Sequence, residues 1–403
     1  MSSDRNVYIL GAGFSADARL PMMLTFLGAA RNAAVWLREE RRRREARAVD
    51  RLLAFREEAT RATFRSRINI DNVEELFSLA SATGDRRLEH DLTLGIAAVI
   101  DHAASVEDRL CCFIHPPPGW DVPSSWGQSP FSQGGRHSRL ASVYDHYLAV
   151  LAGIGPDGES RHEDVVITFN YDLLLEEALR TLRIPFNYGF RRSALDFRPS
   201  AAWISRQYRR TGLTLLKLHG SMNWAGPLES AAFADIPPRE TIPGLSRVAL
   251  YPGQLSVYGS YSELQGDSSR PMLVPPTWRK TFGSLLAPVW EYALRALATA
   301  TRIVVVGYSA PATDQHFHYL LAAGLMHNDA LESVWFVKPS PGDPELRGRV
   351  QAMFHRGPAR AGVGTMLKMV PKLTSEFFFS QAQLSRIGRG DAGFDAKLRL
   401  GPA

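Results

Sequence analysis

Residues 7–16 read VYILGAGFSA, and this stretch decides the fold. Val7, Tyr8, Ile9 and Leu10 have the length and apolar character of a short buried strand, which Gly11-Ala12-Gly13 ends. Gly11, Gly13 and Ala16 make a G-x-G-x-x-A pattern, the turn from strand to helix that carries a dinucleotide phosphate. Gly11 and Gly13 can take positive φ and let backbone approach a phosphate, toward which a following helix aims its free amides. Ser15 adds a hydroxyl donor. Two features separate the stretch from a dehydrogenase. Pro21 falls where the first helix would continue. The acidic residue expected about twenty positions on, at the end of a second strand, is also missing.

The rest of the chain fixes the class. It has 403 residues, a net charge of +6, 45% hydrophobic and 22% charged residues, as in an ordinary globular protein of one large or two smaller domains. No run of about twenty apolar residues is present to span a membrane. The four-residue apolar run near the start is no secretory signal. The only cysteines, Cys111 and Cys112, are adjacent, which suits neither a disulfide nor a structural zinc site and fits a cytoplasmic protein. Much of the surplus positive charge lies in REERRRREARAVDR, residues 38–51, which reads as a solvated helix face or as a docking surface for an anionic partner.

Residues 25–160 are dominated by helical patterns: Thr25–Phe64, Asp71–Ala80, Leu92–Ala103 and Leu140–Leu151, with a Pro-, Gly- and Ser-rich loop at 116–135. An α/β rhythm follows. Asp164–Phe169, Leu213–Leu218, Met272–Val274, Arg302–Val306, Ser333–Val337 and Met366–Val370 read as strands, with helices over Leu173–Leu182, Leu285–Ala298 and Pro344–Met353. The expected fold is α/β: a Rossmann-like, mostly parallel sheet made of residues 1–24 and 161–403, interrupted by a helical insertion at 25–160. Ligands of such sheets sit beyond the carboxyl ends of the strands.

Four polar turns fall at those ends. After the first comes TFNYD: the Asn170 amide can orient a water or a ribose hydroxyl, or be a turn residue. Asp172 can accept backbone amides, or cap the helix starting at Leu173. In KLHGS, His219 can exchange a proton near neutral pH, or be a hydrogen-bonded histidine at a strand end. In GYSAPATD, Gly307 and Ser309 repeat the chemistry of the first turn, and Asp314 can bind a ribose diol or cap a helix.

The ordered set GAGFS, TFNYD, LHGS and GYS resembles the SIR2 superfamily, over residues 6–24 and about 164–340. Its nearest likeness is to the SIR2-like proteins of bacterial antiphage defence. The resemblance implies a sirtuin-type fold in which Gly11, Ala12, Gly13 and Ser15 hold the NAD diphosphate and adjoining ribose. Asn170 and His219 would be the catalytic pair, Asp172 would support Asn170, and Gly307 and Ser309 would take the adenosine side. NAD is then substrate, and no metal is needed.

Departures from the family refine the expectation. The two C-x-x-C pairs of lysine deacylases are absent, and RLPMMLTF replaces the family's G-I-P-x-F-R continuation. Lys338-Pro339 stands where sirtuins often carry asparagine. The expected activity is NAD+ glycohydrolysis to nicotinamide and ADP-ribose, as an effector that depletes NAD. The alternatives are a SIR2-like ADP-ribosyl cyclase or transferase, and a catalytically silent module that binds NAD or ADP-ribose. For partners, the resemblance implies a homo-oligomer, a HerA-like ATPase or, less in keeping with this chain, a short Argonaute. Direct nucleic-acid binding is left open.

Overall fold

The computed structural model describes residues 5–105, 143–153, 164–226, 255–267, 269–274, 285–308, 315–339, 344, 348–350 and 366–378. In chain order the strands are β1 (Asn6–Leu10), β2 (Val165–Thr168), β3 (Phe186–Asn187), β4 (Leu195–Phe197), β5 (Leu213–Lys217), β6 (Gly220–Ser221), β7 (Trp224–Ala225), β8 (Leu255–Val257), β9 (Met272–Leu273), β10 (Arg302–Val306), β11 (Ser333–Lys338) and β12 (Met366–Pro371). The helices are α1 (Phe26–Glu39), α2 (Arg43–Thr63), α3 (Val73–Ala82), α4 (Arg86–Ser105), α5 (Val143–Leu151), α6 (Leu174–Leu182), α7 (Ala202–Gln207), α8 (Tyr261–Gly266), α9 (Ala287–Thr299) and α10 (Gln315–Leu325).

Among the described residues, seven strands form one sheet in the order β12-β11-β10-β1-β2-β5-β3, with every neighbouring pair parallel. Every residue of β5 is buried, as are four of the five in β1 and in β10. Burial at consecutive positions means that both faces are covered, which explains the unbroken Val, Ile and Leu runs. This is the expected α/β class. The chain leaves β1 toward β2 and β5 on one side and later lays down β10, β11 and β12 on the other. The strand order therefore reverses between β1 and β10, the place where such sheets open a crevice.

Register lines up the carboxyl ends. Lys217, Thr168, Leu10, Val306 and Val337 form one row across five strands. The turns that follow these residues therefore share one edge. The strand expected at Met272–Val274 is not in this sheet: Met272–Leu273 pairs antiparallel with Gly220–Ser221, just past the β5 end. Two residues per strand suffice for that pairing, so the apolar triplet did not reveal its partner.

The helices expected as one insertion divide by packing. α1–α4 enclose their own apolar cluster, including Leu37, Leu52, Leu76, Phe77 and Val99, closed off by Met222, Tyr261 and Leu273. α5 instead belongs to the core of the sheet, through Tyr144, Tyr147, Leu148 and Leu151. The helical pattern over Thr25–Phe64 breaks at Glu40–Arg42, where Arg41 is left-handed with φ 58°.

Arg42 fastens this break. Its guanidinium donates to Glu45 (2.6 and 2.9 Å) and to Asp101 (2.5 Å), and lies 5.2 Å from the Trp36 ring centre and 5.5 Å from that of Tyr261. Part of the arginine run is thus internal, whereas Arg41, Arg43 and Arg47 are exposed. Among the described residues no helix is long and apolar enough to cross a membrane.

Candidate functional site

The first turn meets the Gly307 turn backbone to backbone. Gly11 N–H donates to Val306 O (3.0 Å) and Gly13 N–H to Gly307 O (2.7 Å). A Cβ on Gly11 would lie 2.7 Å from Tyr308 Cα, one on Gly13 2.8 Å from Gly307 Cα, and one on Gly307 2.2 Å from Phe14 N. Gly307 is left-handed (φ 64°), whereas Gly11 has φ −105° and Gly13 is likewise outside the left-handed region. The expected reason for the first two glycines therefore changes: they are small because another turn of the same protein occupies their side-chain space. A 3-10 helix, Ala12–Ala18, follows the turn in place of an α-helix and stops at Arg19, with φ 54°. α1 starts only at Phe26, past Pro21.

A continuous polar chain joins this turn to the β2 end. Asn170 Nδ2 donates to Gly11 O and to Ser15 Oγ, both at 2.9 Å. Ser15 Oγ in turn donates to Asp172 Oδ2 at 2.7 Å. The other carboxylate oxygen, Asp172 Oδ1, accepts from Leu174 N–H (3.2 Å) at the mouth of α6, so Asp172 both ties the helix start and orients the serine. Thr168 Oγ1 donates to Leu10 O and accepts from Asn170 N–H, each at 3.1 Å, which fixes the backbone just ahead of Asn170. Because Gly11 O is an obligate acceptor, the Asn170 amide orientation follows from its surroundings. Among the described residues no hydrogen bond reaches Asn170 Oδ1, and the residue is half-buried.

His219 follows the β5 end and is 5% exposed. Its ring centre is 5.0 Å from that of Phe169 and 6.3 Å from that of Tyr171. Phe169 stacks on Tyr308 (5.3 Å) and meets Phe317 edge-on (5.6 Å). The histidine thus stands against an aromatic wall contributed by the ends of β2 and β10 and by α10. Its carbonyl accepts from Val274 N–H at 2.8 Å, and Tyr171 Oη donates to Val274 O at 2.5 Å.

Three supporting groups escaped the sequence reading. Tyr144 of α5 donates to Phe14 O (3.0 Å) and accepts from Ala18 N–H (3.1 Å). Tyr147 donates to Asp17 Oδ2 at 2.6 Å. Burial pushes the Asp17 carboxyl up, opposed by that hydrogen bond, and burial together with the Asp172 charge pushes the Tyr144 phenol well up. The third is Lys217, 1% exposed, whose Nζ donates to Asp172 O (2.5 Å) and to Glu176 Oε1 (2.9 Å). Burial raises the Glu176 carboxyl and the Lys217 charge pulls it back. A helix-patterned tyrosine pair and a lysine in an apolar strand carry no signal of this kind in sequence.

Gly11, Gly13, Ser15, Asn170, Asp172 and Gly307 are therefore linked by a continuous series of contacts, and His219 packs on Phe169 beside them. Ala12 is exposed at the turn. Ser309 and Asp314 lie outside the described residues, as do Cys111 and Cys112 and most of the helix expected at 344–353.

No curated protein matches the chain. Among solved structures, the chain is similar to one described as the structural basis for the mechanism and regulation of Sir2 enzymes (TM-score 0.37, 13% identity, 96% of this chain and 95% of that one). It is similar to a Sir2 homologue–NAD complex (0.36, 14%, 96% and 90%) and to a histidine-to-asparagine Sir2 homologue variant with ADP-ribose (0.33, 15%, 100% and 96%). The model of the SIR2-like domain matches residues 164–245. That match runs from β2 through the His219 turn and beyond it.

Proposed function

We propose that the chain is an NAD+ glycohydrolase that splits NAD into nicotinamide and ADP-ribose. The observation that carries this reading is the Gly11–Asn170–Ser15–Asp172 chain beside His219, at the edge where the strand order reverses. The SIR2-like match over 164–245 supports it, since that stretch holds Asn170, Asp172 and His219.

The donor set suits a dinucleotide. The exposed Ala12 turn lies at the switch point, where a diphosphate and its ribose would lie, while the Ser15 hydroxyl and Gly13 N–H, engaged with Asp172 and Gly307, hold the turn in shape. In the reaction the bond between nicotinamide nitrogen and ribose carbon breaks, and its electron pair leaves with nicotinamide. A water oxygen bonds to the ribosyl carbon, and the water gives up one proton. Such glycosidic cleavages develop positive charge on the sugar. The protein has to hold the ring, face that charge and aim the water.

Asn170 directs both amide hydrogens inward, which leaves Oδ1 to accept from a water or a ribose hydroxyl. The His219 imidazole can accept the released proton. Ser309 and Asp314 remain proposed adenosine-side contacts. In this reading the protein is an effector that drains NAD in antiphage defence. It is held in check by self-assembly or by a partner such as a HerA-like ATPase, docked on the exposed arginines of α2.

Incubation of the purified chain with NAD, followed by chromatography, tests the activity. Free nicotinamide with linear ADP-ribose supports hydrolysis, and a cyclic product points to a cyclase. NAD left intact with and without candidate partners points to a binding module.

A further inference from the structure

Lys217 is the most deeply buried cation of the site, and the chemistry above makes no use of it. It closes β5, two residues before His219, yet its ammonium reaches sideways to the loop after β2. There it donates to Asp172 O at 2.5 Å, with a longer contact to Tyr171 O at 3.5 Å, and to Glu176 Oε1 in the first turn of α6 at 2.9 Å. Glu176 is 2% exposed and also accepts from Tyr188 Oη (3.4 Å). A buried ammonium must satisfy its hydrogens, and here its partners are two adjacent carbonyls and one carboxylate.

Those carbonyls belong to the peptide units on either side of the Asp172 α-carbon. Fixing them fixes the direction in which the Asp172 side chain leaves the backbone. That direction brings Oδ2 to Ser15 Oγ, and Ser15 in turn takes one hydrogen of Asn170. Tyr171 O also accepts from Met222 N–H (3.1 Å), so the loop is tied to the chain on both sides of His219.

We propose that Lys217 is a positioning residue that locks the Asn170–Asp172 loop to the strand presenting His219, and so sets the two proposed catalytic side chains in register. The proposal rests on the NAD-hydrolysis reading for its kinetic consequence, but not for its structural one.

The test uses the full chain and separates these two. Lys217→Met alone strands Glu176 as a buried charge, so the informative variant is Lys217→Met/Glu176→Leu, which replaces the pair with apolar groups of similar size. Lys217→Arg keeps the charge but offers a planar fork in place of a compact ammonium. Three quantities are read: melting temperature, hydrogen exchange of peptides spanning 168–174, and kcat and KM for nicotinamide release.

The double variant is expected to melt within a few degrees of the parent. Exchange over 168–174 should be at least about tenfold faster, and kcat should fall at least about tenfold with KM changed less than about threefold, the pattern of misplaced reacting groups. Lys217→Arg should show the same exchange and kcat changes. A folded double variant with parental exchange and parental kcat overturns the proposal and leaves Lys217 as a structural ion pair. If the parent releases no nicotinamide, the hydrolysis reading fails, and the exchange measurement alone decides the role of Lys217.

Discussion

The Ser15 hydroxyl donates to Asp172 Oδ2 at 2.7 Å, although the two residues are 157 positions apart. The contact welds the turn after β1 to the loop after β2, and the same carboxylate holds Leu174 N–H at the start of α6. Asp172→Ala should therefore cost about 1–2 kcal/mol of stability, from a lost helix tie and an orphaned buried hydroxyl. Nicotinamide release should drop by an order of magnitude or more. Urea unfolding and product chromatography on the same sample measure both.

Asn170→Ala and His219→Ala should each abolish NAD loss while the protein stays folded. Neither side chain fills a core layer of the sheet, so the stability change should be about 1 kcal/mol, with Asn170 the costlier because Gly11 O and Ser15 Oγ lose their donor. A folded variant with parental turnover removes that residue from the proposed chemistry.

Gly307→Ala should destabilise the protein by at least about 2 kcal/mol, because φ 64° strains any side chain and the new Cβ would sit 2.2 Å from Phe14 N. Gly13→Val should act in the same way, since its Cβ space is filled by Gly307. Differential scanning calorimetry without any ligand distinguishes this from a purely ligand-side effect, which would leave the melting temperature untouched.

His146 of α5 is 1% exposed, and burial pulls its imidazole from 6.5 down to about 4. Below pH 6.5 the unfolded chain takes up a proton that the folded chain refuses until about pH 4. The stability due to neutral His146 is therefore fully present above pH 6.5. It declines as pH falls through this window, by up to about 1.4 kcal/mol per pH unit. Denaturation curves at stepped pH should show the decline in the parent and a flatter profile in His146→Gln.

The arginine run should split into two functional classes. Arg42→Ala should weaken the α1–α4 cluster by about 2 kcal/mol, since it strands Glu45 and Asp101 and uncovers Trp36 and Tyr261. Charge reversal at Arg41 and Arg43, both exposed, should leave the melting temperature unchanged and weaken assembly or activation. Mass measurement in solution with and without candidate partners reads the second effect; parental assembly would make those arginines an ordinary solvated face.

Much of the sheet was legible because its strands are covered on both faces. β1, β2, β5, β10, β11 and β12 announce themselves as apolar runs that stop at polar turns. β3, β4, β7 and β8 did not, since two or three residues carry no period. The break at Arg41 was equally silent: no glycine or proline marks it, and arginine holds the left-handed turn there. Within the site, the convergence of Ser15, Asn170, Asp172 and Gly307 followed from strand ends sharing one edge. The reason for Gly11 and Gly13 did not, because the group filling their side-chain space lies some three hundred residues away. Lys217 was hidden for a related reason: in LTLLKL it reads as the polar end of a strand, and only the fold supplies its carbonyl partners.

The central strand β1 precedes one of its two neighbours, β10, by almost three hundred residues. Asn6 pairs with Arg302, and Arg5 N–H donates to Thr301 Oγ1 across 296 positions. At roughly 5–20 residues per second, a ribosome takes about 15–60 s to bridge that interval. Throughout it, Ser15, then Asn170, then His219 emerge into the cell, yet the turn at Gly11–Gly13 still has no Gly307 to close on. Translation thus acts as a clock on the assembly of the crevice: a nascent or prematurely ended polypeptide lacking β10 holds Ser15, Asn170 and His219 without the backbone turn that Gly11 and Gly13 close on.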